Sequence, residues 1–156
     1  MHDREANETC VFCKIVAGEA PVSKVHEDDR SLVIMTLGPV TPGHAMVIPK
    51  AHVPYLAQLD EELGMHLFRI SQRVAAAIRE SGLRCEGVNF FLADGEAAFQ
   101  EVFHFHMHVF PRYKGDPFKL MADWANKPPR AELDRTAALL EAAYHELYPK
   151  GDGSAQ

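Results

Sequence analysis

Apolar positions recur along the chain in two rhythms, and each rhythm marks a kind of element. Between Asp60 and Glu80 the residues Leu63, Leu67, Ile70, Val74 and Ile78 return at three- and four-residue steps, the signature of one apolar helical face. Asp60 is placed to cap that helix, Glu61 and Glu62 suit the positive end of its dipole, and Ser81-Gly82 closes it. Elsewhere the apolar residues come in short runs. Ser31–Leu37 and Ala45–Ile48 flank the turn Gly38-Pro39-Val40-Thr41-Pro42-Gly43 and predict two strands of a largely buried sheet. Val88–Leu92 predicts a further strand, Asp94-Gly95-Glu96 a turn or loop, and Val102–Phe110 another strand. A short helix is expected over Cys10–Ala17, ended by Gly18 and Pro21, and a second long one over Ala131–Leu147 after Pro128-Pro129. This order implies an α+β fold, a mainly antiparallel sheet with a long helix and a C-terminal helix packed on it.

Composition narrows the function classes. A chain of 156 residues fits a single domain, with a core over about 10–112 and a C-terminal extension over about 113–150. The first eight residues and the tail after residue 150 are polar, so flexible ends are expected. A net charge of −6 offers no basic field for nucleic acid, although a small phosphorylated ligand needs only a few local donors. The charged N-terminus lacks an apolar leader segment. The uncharged run from Ser31 to Pro49 is interrupted by Gly38, Pro39, Pro42 and Gly43, so no membrane span is expected. Three cysteines, two of them in Cys10-x-x-Cys13, argue for a reducing compartment and hence a cytoplasmic location.

The chemistry concentrates in His104-Phe105-His106-Met107-His108-Val109-Phe110. On a strand, period two places His104, His106 and His108 on one face and Phe103, Phe105, Met107 and Val109 on the other. The apolar face belongs to the core, so the histidine face is expected to line something wetter. It could be simply a polar strand face. Two chemical readings compete with that. Histidines at i and i+2 lie roughly 6.5–7 Å apart along a strand, close enough for their rings to converge on a metal. Alternatively, one neutral imidazole attacks phosphorus and is later displaced. Spacing alone leaves these open.

The pattern His-φ-His-φ-His-φ-φ, with φ hydrophobic, resembles the histidine triad (HIT) superfamily. The resemblance extends through Cys10–Glu19, Pro42–His52, Gly87-Val88-Asn89, Gly95, Gln100 and Pro111-Arg112, in the family's order and spacing over roughly residues 10–112. It implies a homodimeric HIT-like fold and an enzyme that acts on a nucleotide, a purine nucleoside monophosphate derivative. The implied reaction cleaves a nucleoside phosphoramidate or dinucleoside polyphosphate at the α-phosphate and releases a nucleoside monophosphate. The middle residue, His106, would be the nucleophile, and a backbone carbonyl would hold its second ring nitrogen. His108 and His44 would stabilise the phosphate oxygens, with Thr36, Leu37, Asp94 and Gln100 at the substrate. No catalytic metal is implied. Rival readings are a non-catalytic nucleotide-binding protein and a metallohydrolase that uses the histidine strand.

Four positions depart from the usual family pattern. Thr36 stands where an acidic or amide residue holds the ribose, Ala93 where Asn or Gln is usual, and Phe99 where Gly precedes Gln100. Glu101 replaces a Ser or Thr beside the scissile bond. It could serve as a general acid, repel an anionic leaving group in favour of an amine, or simply stand solvated at the rim. These changes bear on the substrate more than on the reaction. By the same resemblance, Cys10, Cys13, His52 and His104 are candidates for a structural zinc, which would make His104 structural. Trp124 and Phe118 are within the extension and could reach a substrate, although a docked tail is the simpler use.

Overall fold

The computed structural model describes residues 9–149; the polar ends lie outside the described residues. The chain divides into two compact units, one reaching Phe118 and the other beginning at Lys119. The first unit holds α1 (Val11–Val16), β1 (Lys24–Glu27), β2 (Ser31–Met35), β3 (Ala45–Pro49), α2 (Glu61–Glu80), β4 (Gly87–Phe91) and β5 (Met107–Arg112), with single 3-10 turns at Leu56–Gln58 and Glu96–Ala98. The strands form one fully antiparallel sheet in the order β1-β2-β3-β5-β4. The second unit carries α3 (Arg130–Leu147), whose residues are all exposed.

Alternation along β2 and β3 assigns side chains to the two faces of the sheet. Val33, Ala45, Val47, Phe105 and Val109 meet Leu67, Ile70, Val74 and Ile78 of α2 in the main core. Leu32, Ile34, Met46 and Ile48 point the other way and are covered by Phe12 of α1. Helix α2 begins as its sequence demands: the Asp60 carboxylate accepts the Leu63 N–H at 3.0 Å.

One expectation needs correction, and one strand was not expected at all. The strand predicted from Val102 begins only at Met107, because residues 102–106 leave the ladder. The His104 ring, not a neighbouring backbone, takes the Pro49 carbonyl at 2.9 Å, and the Phe105 N–H donates to Val53 at 2.6 Å. Pairing is thus satisfied without a strand. The unexpected strand is β1, whose Lys-Val-His-Glu sequence gave no strand signal. All four residues are exposed on the sheet edge, so no burial pattern was imposed on them.

Candidate active site and metal-ligating cluster

The site is built where β3 and β5 start side by side. The turn before β3 needs Gly43, which has φ +97°; a Cβ there would come within 2.8 Å of Leu83 Cδ1 and 3.2 Å of Pro111 Cγ. Thr41 Oγ1 donates to the Pro111 carbonyl at 2.7 Å and ties the same turn to β5. This brings His44 beside His108, with Met46 paired opposite His108 in the ladder.

Hydrogen bonds define the protonation of each ring. The Val40 N–H donates to His44 Nδ1 at 3.1 Å, so a neutral His44 carries its proton on Nε2. That Nε2–H donates to His108 Nδ1 at 2.9 Å, which leaves the His108 proton on its own Nε2. His106 Nδ1 donates to the His104 carbonyl at 2.7 Å, so its Nε2 lone pair is free. The carbonyl expected behind His106 is therefore that of His104. The histidine face is not wet, as period two alone suggested. His104 and His106 are buried, and Phe12 packs edge-on or tilted against them at 5.6 and 5.2 Å.

Burial favours the neutral rings throughout. It lowers the pKa of His44 and, more strongly, that of His108, which falls to about 4 with added repulsion from His106 and His44. Burial also lowers the pKa of His106, against the opposing effects of its bond to the His104 carbonyl and of the Glu101 carboxylate.

His104 faces elsewhere. With Nε2–H given to Pro49, its Nδ1 lone pair turns to Cys10 Sγ at 3.5 Å and Cys13 Sγ at 3.6 Å, and His52 Nδ1 lies 3.3 Å from Cys13 Sγ. All four donor atoms lie within 4.8 Å of one another. A tetrahedral zinc with bonds of about 2.0–2.3 Å needs donors separated by roughly 3.3–3.8 Å, and the three sulfur–nitrogen separations above fall in that range. Burial, together with the neighbouring Cys10, pushes the Cys13 thiol up to about 12 when no cation balances it. A bound dication would reverse that effect. Four protein donors would also close the coordination sphere, as in structural rather than catalytic zinc.

The other expected site residues are dispersed around this centre. Thr36 is half-buried with its hydroxyl near the Gly38 N–H, and Leu37 is fully exposed. Asp94 accepts the Leu56 N–H at 2.8 Å, and Ala93 is buried. Gln100 is buried and committed to the backbone: its Oε1 accepts the Gly95 N–H, while its Nε2 donates to the Pro54 and Val102 carbonyls. Direct contact with a phosphate would cost it one of these bonds. His44 is in the same position, since its only ring proton already goes to His108. Glu101 is exposed but close enough to act electrostatically on His106. Phe118 packs on Phe110 and lies under the Arg112 guanidinium, a structural use. Phe12 and the Val40 N–H were missed, because neither has a residue type that signals chemistry.

A family model described as "HIT domain" matches residues 17–115. The Bacillus subtilis protein named "Protein hit" is 44% identical over 112 residues, covering 71% of this chain and 77% of its own length. The Arabidopsis thaliana "Adenylylsulfatase HINT3" is 34% identical over 134 residues, covering 84% of this chain and 65% of that one. Among solved structures, a "ZN-bound histidine triad family protein" from Mycobacterium smegmatis superposes with a TM-score of 0.70 at 41% identity, covering 88% of this chain and 99% of its own.

Proposed function

The chain belongs to the HIT domain family, and from that premise we propose that it is a nucleotide hydrolase working through a covalent nucleotidyl-His106 intermediate. The observation that carries this reading is the bond from His106 Nδ1 to the His104 carbonyl at 2.7 Å. It holds a buried, neutral imidazole with Nε2 unprotonated and free, which is what nucleophilic attack on phosphorus requires.

In the first step the His106 Nε2 lone pair forms a bond to the α-phosphorus, and the bond from phosphorus to the leaving group breaks. The leaving atom keeps that electron pair and takes up a proton from solvent. Water then attacks the same phosphorus, the nitrogen–phosphorus bond breaks, and a nucleoside monophosphate departs with His106 restored. The chain from Val40 through His44 to His108 supports a donor at His108 Nε2, which would bind a phosphoryl oxygen as charge builds there. His44 acts in this reading through His108. Gln100 holds the loop that carries Glu101 on the leaving-group side, and Thr36, Leu37 and Asp94 are assigned to the nucleoside end.

The substrate class is a purine nucleoside phosphoramidate or a dinucleoside polyphosphate. Cys10, Cys13, His52 and His104 would hold a structural zinc, which when bound supplies rigidity and fixes the His104 carbonyl behind the nucleophile. A homodimer completes the reading, since exposed apolar residues of the first unit such as Val25, Met65 and Phe68 offer surface that a second copy would cover.

A turnover screen with an adenosine phosphoramidate and a diadenosine polyphosphate tests the proposal. Release of AMP by the wild type is expected, with none from a folded His106→Ala variant, and rapid-quench mass spectrometry should trap one nucleotidyl adduct per chain. Full activity in His106→Ala would end it.

A further inference from the structure

Cys10 and Cys13 stand at the start of α1, Cys10 as its cap and Cys13 in its first turn. That spacing decides what the two sulfurs can do. Positions three apart in a helical turn bring their Cα atoms to roughly 5–6 Å, inside the range of about 4.4–6.8 Å that a disulfide spans. The sulfurs lie within 4.8 Å of one another as members of the four-donor cluster, and both thiols are reduced. Both residues are half-buried, so a small oxidant can reach them. The third cysteine is engaged elsewhere: Cys85 Sγ donates to the Gly87 carbonyl at 3.2 Å.

The pair is connected to the nucleophile by two routes. His104 Nδ1 faces both sulfurs, at 3.5 and 3.6 Å, and the carbonyl of the same residue fixes the His106 tautomer at 2.7 Å. Phe12, which lies between the two cysteines in sequence, packs on the His104 ring at 5.6 Å and on the His106 ring at 5.2 Å. A bond between the sulfurs would draw them out of their positions facing His104 and tighten the turn that carries Phe12. Both supports of the His106 ring thus depend on the oxidation state of one pair.

We propose that Cys10 and Cys13 are an oxidative modification site: hydrogen peroxide joins them in a disulfide, a dithiol parts them again, and the disulfide displaces the His106 ring from its working orientation. The loss of turnover that follows rests on the hydrolase reading above; the disulfide and its effect on the ring do not. One sulfur attacks a peroxide oxygen and the O–O bond breaks, which leaves a sulfenic acid and one water. The second sulfur attacks the first, the S–O bond breaks, and a second water departs. Two thiols give up two hydrogens and two electrons while one peroxide is reduced to two waters, so atoms and electrons balance. In the disulfide neither sulfur is a thiolate donor. Only His52 and His104 remain of the four, too few to hold a structural zinc, so oxidation also empties the cluster of any metal it carries.

The test treats the full-length protein, as wild type and as Cys85→Ser to keep the third thiol out of the chemistry, with graded hydrogen peroxide and then with dithiothreitol and zinc. Peptide mass mapping without reductant should show Cys10 joined to Cys13 with the loss of two hydrogens, and a chromophoric chelator should report zinc released in step with that bond. Nitrogen NMR of the His106 ring should lose the pattern of a protonated Nδ1 and a bare Nε2. AMP release from an adenosine phosphoramidate should fall by up to about a hundredfold, the cost of misplacing a reacting group by an ångström or so, and return with the dithiol. Sulfurs that are joined between chains, or that pass to sulfinic acid without pairing, overturn the site. So does a Cys10–Cys13 bond that forms while the His106 signals and the turnover stay as they were. If the bond forms and the ring signals change, but neither the reduced nor the oxidised protein releases AMP, the hydrolase reading fails and the modification site stands.

Discussion

His44 donates its Nε2–H to Nδ1 of His108 across 2.9 Å, while its own Nδ1 accepts the Val40 N–H. The sequence pattern treats both as histidines at one phosphate, but the geometry separates them. His44 sets the tautomer of His108, and only His108 Nε2 remains to donate.

Substitution should distinguish these roles. His108→Ala removes a donor aimed at developing charge and is expected to lower kcat by roughly 10²–10³. His44→Gln, whose side chain has both a donor and an acceptor, should keep more activity than His44→Ala. His44→Ala would also leave the half-buried Val40 N–H without its partner, at about 0.5–1.5 kcal/mol in stability. Steady-state kinetics and denaturant unfolding of the three variants check this. Equal activity in both His44 variants would deny the positioning role.

The cysteine pair makes an independent prediction. Purified protein should carry about one zinc per chain by elemental analysis, and Cys13→Ser should lose it together with several degrees of thermal stability. Acid should release the metal, because protons compete for the Cys and His donors. Brief chelation that leaves zinc in place should not affect turnover. A metal-free wild type with unchanged melting would argue against a structural zinc.

Much of this was legible in the chain itself, for identifiable reasons. The α2 stripe and its Asp60 cap, the β2 and β3 runs and the alternation of His104, His106 and His108 against Phe105, Met107 and Val109 all reflect local periodicity, which burial enforces. What escaped depended on partners distant in sequence. The start of β5 was misread because Pro49 bonds a side chain 55 residues away rather than a strand. Gln100 looked like a ligand residue, yet its amide is spent on three backbone groups. His66 offered no partner in sequence, yet its Nε2 meets Asp28 Oδ2 at 2.8 Å.

That last contact ties the β1–β2 turn to α2, and it makes stability depend on pH. Burial by itself would raise the Asp28 pKa. Donation from the Arg30 N–H, from the Ser31 hydroxyl and N–H, and from His66 outweighs it and holds the carboxyl far below its usual range. A depressed folded-state pKa gives stability that is present above the unfolded value and lost as pH falls through the folded one. Asp28→Asn should therefore cost about 1–3 kcal/mol at pH 7, since Ser31 is 0% exposed and its donors have no water to turn to. The gap from wild type should shrink as pH drops below about 4. Urea midpoints across pH 2.5–7 measure it, and a gap constant over that range would refute the assignment.

Phe99 holds the remaining anomaly, a non-glycine residue at φ +68° that is 81% exposed. A left-handed backbone costs an ordinary L-residue about 1–2 kcal/mol, and so exposed a ring recovers little of that through packing. Phe99→Ala keeps the backbone penalty and should leave stability within about 0.5 kcal/mol of wild type. Phe99→Gly removes it, offset by the extra freedom of glycine in the unfolded chain, for a net gain of about 0.5–1 kcal/mol. If the ring contacts substrate at the rim next to Gln100 and Glu101, both variants should raise KM together despite their different stabilities. Melting curves and KM for the same three proteins separate backbone from ring. A KM unchanged in both would confine Phe99 to the loop's conformation.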